Sequence, residues 1–157
     1  VMRAGILFIP YLDPGKYTGC DISRLRLEKG MALAGERGIP RDRYTIVVLS
    51  TAEAKELGDA QFDFVWSHDV FCHMPLNECE ACLEALKKHV KPDGRIFLTF
   101  TRGEQYSEFK LKDFWYTNEQ FLSMCRRAGW KAEEQKDWEK CRVPESEDQV
   151  MVLLTHP

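Results

Sequence analysis

An aspartate at the end of a short strand-like run is the residue in this chain best suited to gripping a sugar. Asp21 closes the run Tyr17-Thr18-Gly19-Cys20-Asp21-Ile22, and Ser23 then opens an amphipathic helix. A carboxylate at the carboxyl end of a parallel strand can accept hydrogen bonds from both hydroxyls of a ribose. The same acid also suits the start of a helix, where the macrodipole favours negative charge. The glycine-rich turn that usually precedes such a strand is absent from the sequence.

Three further groups carry side chains with chemistry. Ser67, His68 and Asp69 follow the apolar run Phe62–Trp66. They are therefore expected at the carboxyl edge of a sheet, where α/β proteins bind ligands. Histidine is the side-chain type whose reference pKa lies near neutrality, which makes His68 the best-placed general base, although a loop histidine equally often bonds a backbone carbonyl. Ser50 and Thr51 follow another apolar run, and Ser50-Thr51-Ala52-Glu53 has the spacing of a capping box. Cys72, His73, Cys79 and Cys82 invite comparison with a zinc site, which takes four ligands in a tetrahedron. Cys79 and Cys82, however, fall on an apolar helical stripe with Leu76, Leu83, Leu86 and Val90, where free cysteine acts as a small hydrophobe. No second C-x-x-C exists, so no metal is expected, and His73 reads as a residue that locks its loop.

The elements that must position these residues alternate. Met2–Leu12 is apolar and reads as a helix stopping near Pro10, with a short strand at Gly5–Ile9 as the alternative. Tyr17–Ile22 predicts a strand, and Ser23 caps a helix through about Glu36. Tyr44–Leu49 is β-branched and almost wholly apolar, as in a strand buried within a parallel sheet. A short helix to Leu57, a strand at Phe62–Trp66 and a helix from Pro75 follow. Lys91-Pro92-Asp93-Gly94 reads as a turn before a strand at Arg95–Thr101. Gly103 to Trp115 is polar and aromatic without a clean period. Thr117 and Gln120 have capping-box spacing, Gly129 suits a left-handed cap, and Trp130–Trp138 and Gln149–Thr155 read as closing strands. Strand and helix in alternation predict an α/β fold with an open sheet covered by helices.

Composition narrows the function. The chain has 157 residues and a net charge of −3, which gives no concentrated basic surface for nucleic acid. No apolar run approaches the roughly 20 residues that span a bilayer. The six cysteines are scattered through apolar patterns in a chain large enough to need no staples. They are expected to be reduced, and the protein cytoplasmic.

Three stretches together resemble class I S-adenosylmethionine-dependent methyltransferases: YTGCDIS, FDFVWSHDVFCHMP and LKKHVKPDGRIFLTF, with AGW and QVMVLL fitting the terminal strands. The resemblance covers about Tyr17 to Thr155. It implies a Rossmann-like, mostly parallel sheet with a terminal antiparallel strand, and S-adenosylmethionine as cofactor. By the same resemblance Asp21 would hold the cofactor ribose and Ile22 would pack on the adenine edge. Ser50 and Thr51 would stand where the family reads adenine, a role that competes with capping. Ser67 would border the cofactor, and His68 would serve a small-molecule acceptor as base. Tyr106, Phe109, Phe114, Trp115 and Tyr116 would either cap the acceptor site or pack a long connection. The family's first strand and its glycine-rich loop have no counterpart here, and the chain starts at Val1. The expectation is thus a single methyltransferase-like domain, N-terminally truncated. The rival reading is a non-catalytic module that has lost its cofactor and acts through self-association or protein interaction. A Rossmann-type oxidoreductase is disfavoured, since no dinucleotide fingerprint is visible.

Overall fold

The computed structural model describes residues 5–51, 54–137 and 148–157, so Met2, Glu53, Trp138 and Cys141 fall outside the described residues. The chain divides into two compact units, Val1–Gly58 and Asp59–Pro157.

In the first unit, strand β1 (Tyr17–Asp21) leads through helix α1 (Arg24–Glu36) to strand β2 (Tyr44–Val48). The strands pair in parallel, Tyr17 opposite Tyr44 and Asp21 opposite Val48. Parallel pairing needs a crossover of about a dozen residues or more, which α1 supplies. The helix starts where it does because the Ser23 hydroxyl accepts the Arg26 backbone N–H at 3.3 Å. It ends before Gly38, whose φ of +69° suits a residue without a Cβ. Leu27, Ala34 and Tyr44 bury themselves with Ile6 and Ile9. The apolar segment at 5–12 is helical: Phe8 N–H bonds Gly5 O, and a 3₁₀ turn covers Ile9–Tyr11. This rules out the alternative strand at Gly5–Ile9, because Ile6 and Ile9 reach one core from helical spacing.

The second unit centres on strand β4 (Val90–Thr101). Strand β3 (Phe62–Ser67) lies parallel to it, joined through helix α2 (Leu76–Leu86). Short strands β5 (Ser107–Phe109) and β6 (Asp113–Trp115) form a separate hairpin, which the aperiodic sequence had concealed. Helix α3 (Asn118–Arg127) follows, then strands β7 (Lys131–Glu134) and β8 (Gln149–Thr155). The sheet order is β3-β4-β8-β7, with β8 antiparallel to both neighbours. β7 is shorter than the sequence suggests, ending at Glu134 rather than running on toward Trp138.

The expected turn at Lys91-Pro92-Asp93-Gly94 lies instead inside β4. Phe62 stands opposite Val90 but Phe64 opposite Arg95, so the ladder skips along β4 at this point. Proline cannot donate to a ladder, and an irregularity is where a sheet tolerates it.

Alternate residues of β4 enter the core: Ile96, Leu98 and Phe100 are fully buried among Leu83, Phe121, Met124 and Cys125 of the helices. Phe100 stacks on Phe121 at 4.1 Å between ring centres. Thr117 caps α3 with the full reciprocal box, accepting from Gln120 N while Gln120 Oε1 accepts from Thr117 N. Arg127 clamps Glu80 with two bonds of 3.0 and 2.8 Å, tying α3 to α2. Cys79 and Cys82 take the places their stripe predicts. Cys79 is fully buried, and Cys82 packs partly buried against the same core. Burial pushes the Cys125 thiol up to about 12.

Two expectations follow for this unit. Phe121→Ala should cost about 3–5 kcal/mol, read as a lowered urea midpoint, because it empties the stack on Phe100. The Cys125 thiol is held neutral in the folded state but is free to ionise once unfolded. Its contribution to stability is therefore complete below about pH 9 and is lost as the pH rises toward 12. Urea unfolding across that window should show a shallower decline for Cys125→Ala, by up to about 1.4 kcal/mol per pH unit.

Candidate active site

Asp21 ends β1, and its backbone carbonyl accepts the Leu49 N–H at 2.9 Å. The parallel register thus continues one step past β2, setting Asp21 beside the Leu49-Ser50 segment at the carboxyl ends of both strands. The Asp21 side chain folds back, with Oδ1 accepting the Ser23 N–H at 2.8 Å. This Asx-type bond fixes the carboxylate at the entry of α1 and leaves lone pairs on both oxygens for other donors. Ile22 is 73% exposed, an apolar surface beside the acid.

The capping box expected at Ser50–Glu53 lies partly outside the described residues, but Ser50 itself has a described partner. Its backbone N–H and its hydroxyl both donate to Glu56 Oε1, the former at 3.0 Å. The Ser50 hydroxyl bond, first among the causes, holds the Glu56 carboxyl below its ordinary range. Glu53 is outside the described residues, and the acid that closes this loop is Glu56. The regular structure that follows is a 3₁₀ turn at Lys55–Leu57, entered through Ala54 at φ +51°. Thr51 follows Ser50 in the same exposed loop.

In the second unit, Ser67 is the last residue of β3 and His68 follows it. Phe64, Trp66 and His68 alternate along one face, their rings roughly parallel at 6.5 and 6.2 Å. The loop then turns sharply at Asp69, a non-glycine residue at φ +58°. Aspartate is among the few residues that enter this region readily. Asp69 N–H donates to Thr99 Oγ1 at 2.9 Å, and Asp69 Oδ1 accepts from Cys72 Sγ and Gln149 Nε2, each at 3.2 Å. A 3₁₀ turn at Phe71–His73 follows, with Phe71 and Cys72 buried. Burial, then the Asp69 bond and charge, push the Cys72 thiol up to about 12. His73 Nδ1 lies 2.9 Å from Asp113 Oδ1 and 3.0 Å from Lys112 O, the loop-locking role its sequence position suggests.

Asp21, Ile22, Ser50 and Thr51 thus gather at one strand edge of the first unit. Ser67 and His68 share the β3 edge of the second. Sequence reasoning passed over Asp69 as a structural residue. Its signal was its place two residues past a strand, where a tight turn needs a residue that tolerates positive φ. The aromatic group after β4 splits in two: Phe114 and Tyr116 are buried in the core, whereas Tyr106 and Phe109 are exposed. Phe109 and Trp115 border a hollow of about 500 Å³ with Gly103, Glu104 and Ser107. Tyr116 instead donates its hydroxyl to Met74 O, holding the start of α2.

Thr99 is fully buried, and its hydroxyl is what accepts the Asp69 N–H. Thr99→Val should therefore strand that donor and cost about 1–3 kcal/mol, visible as a lowered thermal midpoint.

The family described as a methyltransferase domain matches residues 4–98. A search of curated proteins finds no match. Among solved structures, the glycopeptide N-methyltransferase MtfA with bound S-adenosyl-L-homocysteine superposes with a TM-score of 0.75 at 14% identity, over 99% of this chain and 77% of that one. An S-adenosylmethionine-dependent methyltransferase from Clostridium acetobutylicum ATCC 824 gives 0.71 at 9% identity, over 95% and 77%. The [4+2]-cyclase SpnF gives 0.72 at 16% identity, over 99% and 72%. The chain spans 47% of the length of a similar candidate O-methyltransferase from Nostoc punctiforme PCC 73102, at 17% identity over 96% of this chain with a TM-score of 0.71. These likenesses place the fold among Rossmann-like methyltransferase folds. The match over residues 4–98, more than half of the sequence, together with the alternating strands and helices, makes this chain a member of the class I S-adenosylmethionine-dependent methyltransferase family.

Proposed function

We propose that this protein transfers the methyl group of S-adenosylmethionine to a small-molecule acceptor. The observation that carries the reading is the Asp21 carboxylate at the carboxyl end of β1, anchored through Oδ1 by the Ser23 N–H. A ribose diol needs an acceptor with two oxygens and a fixed orientation, and this acid fits that need. Exposed Ile22 beside it supplies an apolar rest for an adenine edge. Ser50 and Thr51 stand at the adjacent strand end, where the Ser50 hydroxyl, donating to Glu56, keeps its own oxygen free to accept from an exocyclic amine. Ser67 and His68 follow β3, the strand whose end the family turns toward the reacting centre.

The cofactor supplies an activated methyl group on a sulfonium, ready for in-line displacement. The chain's own residues then have two tasks, alignment and proton removal. Alignment counts for most in such a displacement, because bringing the acceptor into line removes entropy from the barrier. His68 takes the proton of an oxygen or nitrogen acceptor as its new bond to carbon forms. SpnF, a cyclase on a similar fold, is a reminder that the fold alone does not fix the reaction. The reading rests on the site.

A second reading is that of a module acting by association. It draws on the edges of β1 and β3: among the described residues each strand pairs on one side only, and unpaired strand edges recruit partners.

Calorimetry with S-adenosylhomocysteine separates the two readings. The wild-type chain should bind it, Asp21→Ala should weaken binding by about 10- to 100-fold, and His68→Ala should leave it unchanged. No binding by the wild-type chain would favour the module, and full affinity in Asp21→Ala would remove Asp21 from the site.

A further inference from the structure

The zinc reading of the sequence weighs Cys72, His73, Cys79 and Cys82; the second unit keeps Cys72 and His73 together but joins them to Asp69 rather than to the two helix cysteines. Cys79 Sγ is spent on the carbonyls of Phe71 and Met74, at 3.7 and 3.4 Å. Among the described residues, the one group of three or more potential metal ligands is Asp69, Cys72 and His73. A carboxylate oxygen, the thiol sulfur and one imidazole nitrogen all lie within 4.8 Å of one another. We propose that Asp69, Cys72 and His73 bind a thiophilic divalent cation of the zinc class, with three protein ligands and an open position toward solvent.

The spacing suits the ion. Metal–ligand bonds of about 2.0–2.3 Å in a tetrahedron put neighbouring ligand atoms about 3.5 Å apart. Cys72 Sγ and Asp69 Oδ1 already stand 3.2 Å apart. The ligand types are also right: thiolate and imidazole favour zinc-class ions over magnesium or calcium, which prefer oxygen alone. All three come from one short loop, so gathering them closes only a small ring of chain.

The ligands are held from behind, as metal ligands usually are. The Asp113 carboxylate sits 2.9 Å from His73 Nδ1, which sets the ring. Gln149 Nε2 donates to Asp69 Oδ1, and Thr99 Oγ1 accepts the Asp69 N–H, so the aspartate is fixed at both ends. Charge closes as well. On binding, the Cys72 S–H bond breaks, its electron pair forms the sulfur–metal bond, and the proton leaves to water. The resulting thiolate and the Asp69 carboxylate together neutralise a divalent ion. Cys72 is buried whereas Asp69 and His73 are exposed, so the fourth position faces outward and takes water or an anionic group. Asp21, Ile22, Ser50, Thr51, Ser67 and His68 contribute no ligand to this set.

The test uses the whole chain, stripped with a chelator and titrated with cobalt(II). One equivalent should produce a near-ultraviolet thiolate-to-cobalt charge-transfer band. The band should vanish in Cys72→Ser and persist in Cys79→Ser and Cys82→Ser. Asp113→Asn, which touches no metal, should weaken zinc affinity by about 10- to 100-fold in competition with the cobalt form. Circular dichroism of each variant verifies folding, and Asp69→Asn, which keeps the size of the side chain and an oxygen able to accept from the thiol, serves where Cys72→Ser does not fold; it should weaken affinity by about 10-fold or more. No band with wild-type protein, or a band indifferent to Cys72→Ser and Asp69→Asn, overturns the proposal.

Discussion

The second unit depends on β4 being gripped from both sides at once. β3 pairs with it in parallel and β8 in antiparallel fashion, so from Arg95 to Leu98 its backbone is paired along both edges. One face then drives Ile96, Leu98 and Phe100 under the helices, while Thr99 on the opposite face is buried as well. A buried hydroxyl must find a partner, and it finds the Asp69 N–H in the loop that follows β3. The strand that organises the core therefore also sets the bend of the loop after β3. Asp69 can hold positive φ because Thr99, Cys72 and Gln149 together over-determine it.

The first unit reaches the same end with fewer parts. Its strands have one neighbour each, and its core is small. The register between Asp21 and Val48 nevertheless fixes which residues share an edge, and the Ser23 N–H decides where the carboxylate points. In both units the chemistry-bearing side chain is oriented by a backbone bond within a few residues of a strand end. Regular strands supply position, and irregular residues just beyond them supply direction.

Much of this was legible in the sequence because it is local. Ser23, Thr117 and Gly129 each announce a helix end through bonds or backbone freedom that span only a few residues. The apolar runs at Tyr44–Val48 and Phe62–Ser67 declare strands for the same reason. What stayed hidden required partners distant in sequence. The β5–β6 hairpin turns at Lys110 and Leu111, both at positive φ and neither a usual turn residue, so no Asn-Gly signal marks it. Ser50 donates to Glu56, six residues on, a partner that no capping spacing announces. Asp69 meets Gln149 across 80 residues, and spacing alone gives no hint of it. The proline and glycine of Lys91–Gly94 speak for a turn; the segment is instead the irregular stretch of β4 over which the ladder to β3 skips from Val90 to Arg95.

That irregularity in β4 has an evolutionary side. Because the ladder skips between Val90 and Arg95, the inward and outward alternation after Arg95 is not tied in phase to what lies before it. Residues gained or lost at Lys91–Gly94 over generations would be absorbed there, leaving Ile96, Leu98 and Phe100 on the side they occupy. The bulge is a buffer between the connection that precedes it and the core that follows.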